Sequence, residues 1–339
     1  MPAKVNWGIL GNSTIGRVCV LPAINKSSNG RIKALGTRRP DEAEDLAKDN
    51  GIEKVFDSYD QVIADPEIDA VYIPLPNHLH LSWTIKALHS GKHVLCEKPL
   101  ACNAADARVM AAAAKSNDRL LMEALMYRFH PRSHRVKAMV ANGAIGRVRL
   151  VRAAFCFSME PNLLEKGGNY RLDETVGGGA LLDVGTYAVS TARWLLDREP
   201  LTVQAQAIVP ERFKVDIHTV GSMRFASEAL ATFEVSFCSG LQQTYSVVGS
   251  DGVLELPHDA FIPWEKDAVI GWRKKDEESG EKIVISGADE YRLMVEHFGN
   301  AVLHGEKLEI LPEETIANLE VLDALALAAH SGRTVSLAS

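Results

Sequence analysis

The chain has 339 residues, 46% of them hydrophobic and 24% charged, with a formal charge of −7 at pH 7. That length exceeds one ordinary hydrophobic core, so two domains are expected, and the balance suits a globular protein rather than a disordered chain or a nucleic-acid coat. No apolar run approaches ~18 residues and the N-terminus lacks the charged-then-apolar layout of a signal peptide, so no membrane span or export is expected and the cytoplasm is the default location.

Over roughly the first 120 residues short apolar strands alternate with helical stretches, the pattern of a parallel sheet covered on both faces. Val5 to Leu10 reads as a buried first strand, and Gly11-Asn12-Ser13-Thr14-Ile15-Gly16 as the turn into a helix. The free N–H groups at such a helix start can face a pyrophosphate. Gly11 and Gly16 fill the first and third positions of G-x-G-x-x-G, while Ser13 stands at the second, a small hydroxyl residue able to donate a hydrogen bond itself. Taken alone, the run also fits a strand-to-helix turn without a ligand. A second strand, 32–37, ends at Arg38 and Arg39. A carboxylate there would hold the 2′-hydroxyl of NAD, whereas arginine pairs with the extra 2′-phosphate of NADP. Thr37 adds a hydroxyl donor, and NADP is the expected cofactor.

Further strands are predicted over 70–73, 93–96 and 120–123, with helices over 42–50 and over 80–90, the latter closed by Gly91. The segments Pro76-Asn77-His78-Leu79-His80 and Glu97-Lys98-Pro99 follow two of these strands. Both therefore sit at carboxyl ends, where open α/β sheets bind ligands. A solvated loop lysine and surface or capping histidines are the plain alternatives. His78-x-His80 has no third ligand at convincing spacing, so no metal is expected.

After Tyr127-Arg128-Phe129-His130-Pro131 the pattern changes. A helix over 132–141 stops at Asn142-Gly143, and strands over 147–158, 202–208, 222–225, 230–237, 243–248, 252–256 and 269–273 follow, mostly without helices between them. That favours an antiparallel or mixed sheet in an α+β domain. Helices over 291–301 and 315–331 close the chain. The expected division is residues 1–124 for the dinucleotide and 125–339 for substrate binding and oligomerisation. The five cysteines are odd in number and lack C-x-x-C spacing, which suits reduced thiols.

One constellation in the second half stands out. Gly177-Gly178-Gly179 leads through Asp183 and Tyr187 into an apolar run ending at Leu196. If this stretch is helical, Asp183 and Tyr187 share one face. A tyrosine helped by Lys98 suits carbonyl or alcohol redox chemistry, because a nearby ammonium favours phenolate and lowers a phenol from its usual pKa of about 10. A buried tyrosine hydrogen-bonded near an aspartate fits the same spacing. Walker, kinase and nucleophile-elbow signatures are missing from the sequence.

Taken in order, the glycine-turned start, Thr37-Arg38-Arg39, Pro76 to His80, Glu97-Lys98-Pro99, Tyr127 to Pro131 and Gly178 to Tyr187 resemble the glucose–fructose oxidoreductase and inositol dehydrogenase (Gfo/Idh/MocA) family. Within it the chain is most similar to NADP-dependent aldose and dihydrodiol dehydrogenase-like members. The resemblance implies a Rossmann domain followed by an α+β domain with a large, mostly antiparallel sheet. It implies a cis bond before Pro99, Lys98 beside the nicotinamide and the reacting oxygen, and Asp183 with Tyr187 beside the substrate, Tyr187 transferring the proton. Gly11, Ser13, Thr14, Ile15, Thr37, Arg38 and Arg39 would hold the cofactor, Pro76, Asn77 and His80 would line its nicotinamide side, and Glu97 would order the Lys98 loop. Arg128 and Arg171 would contact substrate. The implied protein is a sugar or polyol oxidoreductase taking a small carbohydrate-like substrate and forming a dimer or tetramer through its C-terminal sheet. A non-catalytic NADP-binding regulator is the rival.

Overall fold

The computed structural model describes residues 3–226 and 228–337. It divides into two compact units, one holding the chain through Phe129 together with Asp289–Ile316, the other His130–Ala288 together with the chain from Ala317.

In the first unit β1 (Val5–Leu10), α1 (Leu21–Lys26), β2 (Gly30–Gly36), α2 (Glu44–Asp49), β3 (Lys54–Phe56), α3 (Tyr59–Ala64), β4 (Ala70–Ile73), α4 (Asn77–His89), β5 (His93–Glu97), α5 (Ala104–Ser116) and β6 (Leu121–Ala124) alternate along the chain. The strands pair in parallel in the order β3-β2-β1-β4-β5-β6. This is the doubly wound order of a Rossmann sheet, whose direction reverses between β1 and β4. β1, β4 and β6 are buried almost residue for residue, as strands covered on both faces must be. β3 escaped the sequence reading because it has three residues and carries no apolar run. Side-chain caps start two of the helices: Asn103 accepts the Asp106 N–H at the start of α5, and Ser58 that of Asp60 at α3.

The second unit begins with α6 (Pro131–Ala141), capped by His130, then β7 (Val148–Ser158), α7 (Pro161–Lys166), α8 (Ala180–Asp183) and α9 (Gly185–Leu196). Strands β8 (Pro200–Ile208), β9 (His218–Phe225), β10 (Leu230–Ser236), β11 (Cys238–Gly249), β12 (Gly252–Leu256), β13 (Ala268–Lys274) and β14 (Glu281–Ile285) follow. After α10 (Glu290–His304), which belongs to the first unit, come α11 (Pro312–Ser331), which starts in the first unit and ends in the second, and the short β15 (Val335–Ser336). Nine of the described strands form one sheet, β14-β13-β12-β11-β7-β10-β9-β8-β15. Every pairing is antiparallel except β7 with β10. The α/β class with a second, mostly antiparallel sheet is therefore as expected. Val151, Ala153 and Phe155 of β7 are buried on the face that packs against α9, while Leu150, Arg152 and Ala154 alternate to the other.

The expected boundary differs in one respect. Residues 289–316 belong to the first unit rather than to one uninterrupted C-terminal domain. The apolar face of α10 is the cause: Phe298 meets Trp7 of β1 with ring centroids 5.5 Å apart, and Asn29 donates to Glu296 O and Asn300 Oδ1 at 2.7 Å each. No helix among the described residues is long and apolar enough to cross a membrane.

Candidate active site

β1 leads into Gly11, whose φ of +109° suits glycine and where a Cβ would lie 2.9 Å from Leu75 Cδ2. Ser13 opens the helical stretch, its backbone oxygen accepting Arg17 N–H and its Oγ accepting Gly16 N–H, each at 3.0 Å. The residue that departs from the glycine fingerprint is thus an N-cap. Its hydroxyl keeps a proton to donate, and helix-start N–H groups such as those of Thr14 and Ile15 lack intrahelical acceptors. Gly16–Val20 then wind as a π-helical turn into α1. These donors fit a pyrophosphate.

After β2, Thr37 is buried and its Oγ1 accepts Arg39 N–H at 3.2 Å. Arg38 and Arg39 are both exposed. The Arg39 guanidinium already reaches Glu42 at 3.2 and 3.4 Å, whereas Arg38 has no ion pair among the described residues. Two guanidinium groups beside a hydroxyl fit the 2′-phosphate of NADP.

β5 ends in Glu97, and the chain turns through a cis Lys98–Pro99 bond. Buried groups hold this turn on both sides of the lysine. Glu97 Oε1 accepts the Tyr72 hydroxyl at 2.7 Å and Oε2 accepts Lys98 N–H at 3.2 Å. Burial, with Glu97 beside it, pushes the Tyr72 phenol well up, so Tyr72 remains the donor. His80 is wholly buried, with Nδ1 2.9 Å from Pro99 O and Nε2 2.8 Å from Leu75 O. Burial pushes its pKa down against the pull of those carbonyls. His80 therefore ties the Leu75 and Pro99 loops together. Pro76 and Asn77 start α4, with Pro76 O accepting Leu79 N–H at 2.9 Å. Leu100 N–H donates to Glu123 Oε1 at 2.9 Å, and the Thr315 hydroxyl to Glu123 Oε2 at 3.2 Å. Burial lifts the Glu123 carboxyl to about 7, against those two donors and the Lys98 charge. Arg128, expected to contact substrate, is buried and ion-paired to Glu314, with Glu309 at 3.9 Å. It serves as a structural ion-pair partner.

In the second unit three glycines fold the chain back on itself. Gly179, at φ +113°, donates its N–H to Arg171 O at 2.8 Å, and a Cβ on Gly178 would meet that same oxygen at 2.5 Å. Asp216 starts α8, its Oδ2 accepting Leu181 N–H at 2.8 Å and the Thr219 hydroxyl at 2.6 Å. Burial raises its pKa against those two bonds. The fold-back sets Arg171 against Asp183, Nε donating to Oδ2 at 2.7 Å, with the guanidinium 4.6 Å over the Tyr170 ring. Burial opposes the Arg171 charge, but Asp183, Tyr170 and Tyr187 around it outweigh that and raise its pKa. Tyr187 is 3% exposed, its ring 5.1 Å from Phe155 and 5.4 Å from Phe261. The helical condition on Asp183 and Tyr187 is met only in two pieces, because the chain breaks at Val184, whose φ of −117° ends α8 before α9 begins. The shared neighbourhood of the two residues comes from Arg171 and the aromatic pair, not from helical spacing alone.

Sequence reasoning missed Glu123 and Asp216. Both are single acidic residues inside strand or loop runs, and only the partners they meet after folding mark them.

Two family descriptions match: "Oxidoreductase family, NAD-binding Rossmann fold" over residues 5–125 and "GFO/IDH/MocA C-terminal domain" over residues 133–255. The NADP(+)-dependent D-xylose 1-dehydrogenase 2 of Haloferax volcanii is 35% identical over 331 residues, 98% of this chain and 99% of that protein. The 3-ketoreductase KijD10 of Actinomadura kijaniata, solved with NADP and TDP-benzene, superposes with a TM-score of 0.89 at 29% identity, covering 96% of this chain and 98% of its own. The aldose–aldose oxidoreductase of Caulobacter crescentus, solved with glycerol, gives a TM-score of 0.88 at 27% identity over 98% of this chain and all of its own. With both domains matched in order, the chain belongs to the Gfo/Idh/MocA family of NAD(P)-dependent oxidoreductases.

Proposed function

We propose that this enzyme uses NADP(H) to move hydride to or from a carbon of a sugar or related polyhydroxylated alcohol or carbonyl. The bound nicotinamide supplies the hydride chemistry. Gly11, Ser13, Thr14 and Ile15 would hold the pyrophosphate, Thr37, Arg38 and Arg39 the 2′-phosphate, and Pro76 and Asn77 would border the nicotinamide. Glu97 and His80 fix the loop that presents Lys98. Tyr187 exchanges the hydroxyl proton of the substrate, Lys98 assists by favouring its phenolate form, and Asp183 and Arg171 orient the substrate hydroxyls.

One observation carries the assignment of proton transfer. Asp183 is joined to Arg171 at 2.7 Å, and an ionised carboxylate in such a pair accepts hydrogen bonds but has no proton to give. The phenol beside that pair keeps a proton that it can transfer. Phe155 and Phe261 restrain its ring, which favours one productive direction. Assembly into a dimer or tetramer through the outer sheet face belongs to the same reading. The strand register puts Ile208, Val220 and Leu230 on that face, and all three are exposed.

The test is NADP(H) turnover, followed by absorbance, with a panel of aldoses and ketosugars that starts from D-xylose. Turnover is expected with the wild type, and Tyr187→Phe should lower kcat by at least about 100-fold while leaving NADPH affinity within about twofold. Tight NADPH binding with no turnover on any sugar would favour the non-catalytic regulator. Full activity in Tyr187→Phe would move the acid–base role to another group.

A further inference from the structure

Glu123 is a carboxylate where the fold has no need of a charge. It stands at the carboxyl end of β6, 3% exposed, accepting one backbone N–H and one hydroxyl. Neutral acceptors could satisfy both donors, and burying a charge lowers stability. The Leu100 N–H that Glu123 holds lies two residues beyond Lys98 in the same turn, and the Lys98 charge pulls the Glu123 pKa down. Of the nearby acids, Glu314 opposes its charge but is itself paired to Arg128, while Glu97 is taken up by Tyr72 and the Lys98 backbone. Cys96 faces it from β5, where burial keeps the thiol protonated, and His80 reaches the same turn through Pro99 O.

We infer that Glu123 is a positioning residue for Lys98, locking the 98–100 turn through Leu100 N–H and steadying the ammonium while ionised, and loosening both holds when protonated. The inference rests on the reading that Lys98 serves proton transfer. The release falls in the physiological range because burial lifts this carboxyl to about 7. Its sign is fixed by linkage. A carboxyl raised from 4.5 to about 7 contributes stability that is complete below 4.5 and lost as pH rises through 7. The enzyme therefore carries its least favourable burial in the state where Lys98 is best held.

The experiment follows the Leu100 backbone amide by NMR from about pH 5.5 to 8.5, alongside kcat and thermal melting. In the wild type the Leu100 resonance should titrate with a midpoint near 7, and kcat with the most active sugar of the panel should fall on the acid side of the same midpoint. In Glu123→Gln the resonance should be flat and kcat should drop at least about tenfold with that acid limb gone, while the melting temperature at about pH 8 equals or exceeds the wild type's. Thr315→Val, which removes one donor to the ionised form, should move the midpoint to higher pH, and it decides the matter if Glu123→Gln does not fold. A wild-type Leu100 amide that does not titrate near 7, or a Glu123→Gln protein that loses activity and melting temperature in parallel with an unaltered pH profile, overturns the inference. A titrating amide in a protein that turns over no sugar leaves the Glu123 hold standing and sinks only the proposed reaction.

Discussion

Arg38 and Arg39 stand side by side but are not equivalent. Arg39 is shared with Glu42 at 3.2 Å, while Arg38 has no such partner among the described residues. An exposed pair of this kind holds its partners by under about 1 kcal/mol, enough to compete with a phosphate but not to exclude it. Arg38→Ala should therefore weaken NADPH by about tenfold or more, the value of a charge-assisted hydrogen bond, and leave NADH within about twofold. Glu42→Gln should tighten NADPH about two- to fivefold by freeing Arg39. Fluorescence titration of each variant with both dinucleotides checks this, and equal losses for NADH and NADPH in Arg38→Ala would remove the 2′-phosphate argument. Residues of this kind were legible in the sequence because residue type and strand position alone define them. Glu42, Glu123 and Asp216 were not, because each draws its meaning from a partner that only folding supplies. His80 and Arg128 were read from the sequence only as loop residues near a site, and the backbone carbonyls and the carboxylate they meet appear only on folding.

The turn from β1 into α1 shows how an element can depart from its fingerprint and keep its form. With serine at the second glycine position, the helix start gains a side-chain cap on Gly16 N–H. Ser13→Ala deletes that cap and should cost about 1 kcal/mol, while Ser13→Gly should cost only a few tenths. Denaturant titration separates the two, and dinucleotide titration of Ser13→Ala should show NADH and NADPH weakened alike, since the pyrophosphate is common to both. If Ser13→Gly proves as damaging as Ser13→Ala, the capping role fails. Most elements were readable from apolar periodicity: β1, β4, β12 and α6 lie within a residue of where the sequence puts them. The exceptions have local causes. β3 and β15 are too short to carry a pattern, β14 opens on two charged residues and so carries only a three-residue apolar run, and the break at Val184 falls where Val184, Gly185 and Thr186, all weak helix formers, interrupt the apolar run.

Chain order and structural membership part company at α10. Its helical character was readable, but its partner lies nearly three hundred residues earlier, and no local pattern encodes a docking at that distance. Phe298 against Trp7, the Asn29 amide on Glu296 O and Asn300, and the Ser28 N–H on Glu296 Oε1 at 2.8 Å make α10 part of the dinucleotide-binding unit. Gly299 lets that approach happen, since a Cβ there would come within 2.8 Å of the Asn29 amide. Phe298 is fully buried, so Phe298→Ala should lower stability by about 3–5 kcal/mol, the range for an aromatic truncated in a packed core. The loss should fall on the cooperative step that NADPH protects, because a ligand that binds only the folded unit adds about 2.7 kcal/mol at a hundredfold excess over its Kd. Urea unfolding of the wild type and of Phe298→Ala, each with and without NADPH, reads both quantities. If Phe298→Ala loses less than about 1 kcal/mol, or loses it from a step that NADPH leaves unmoved, α10 is only an appendage of the C-terminal half. If the loss and the NADPH protection act on the same step, residues 289–316 are as much a part of the cofactor-binding fold as β1 itself.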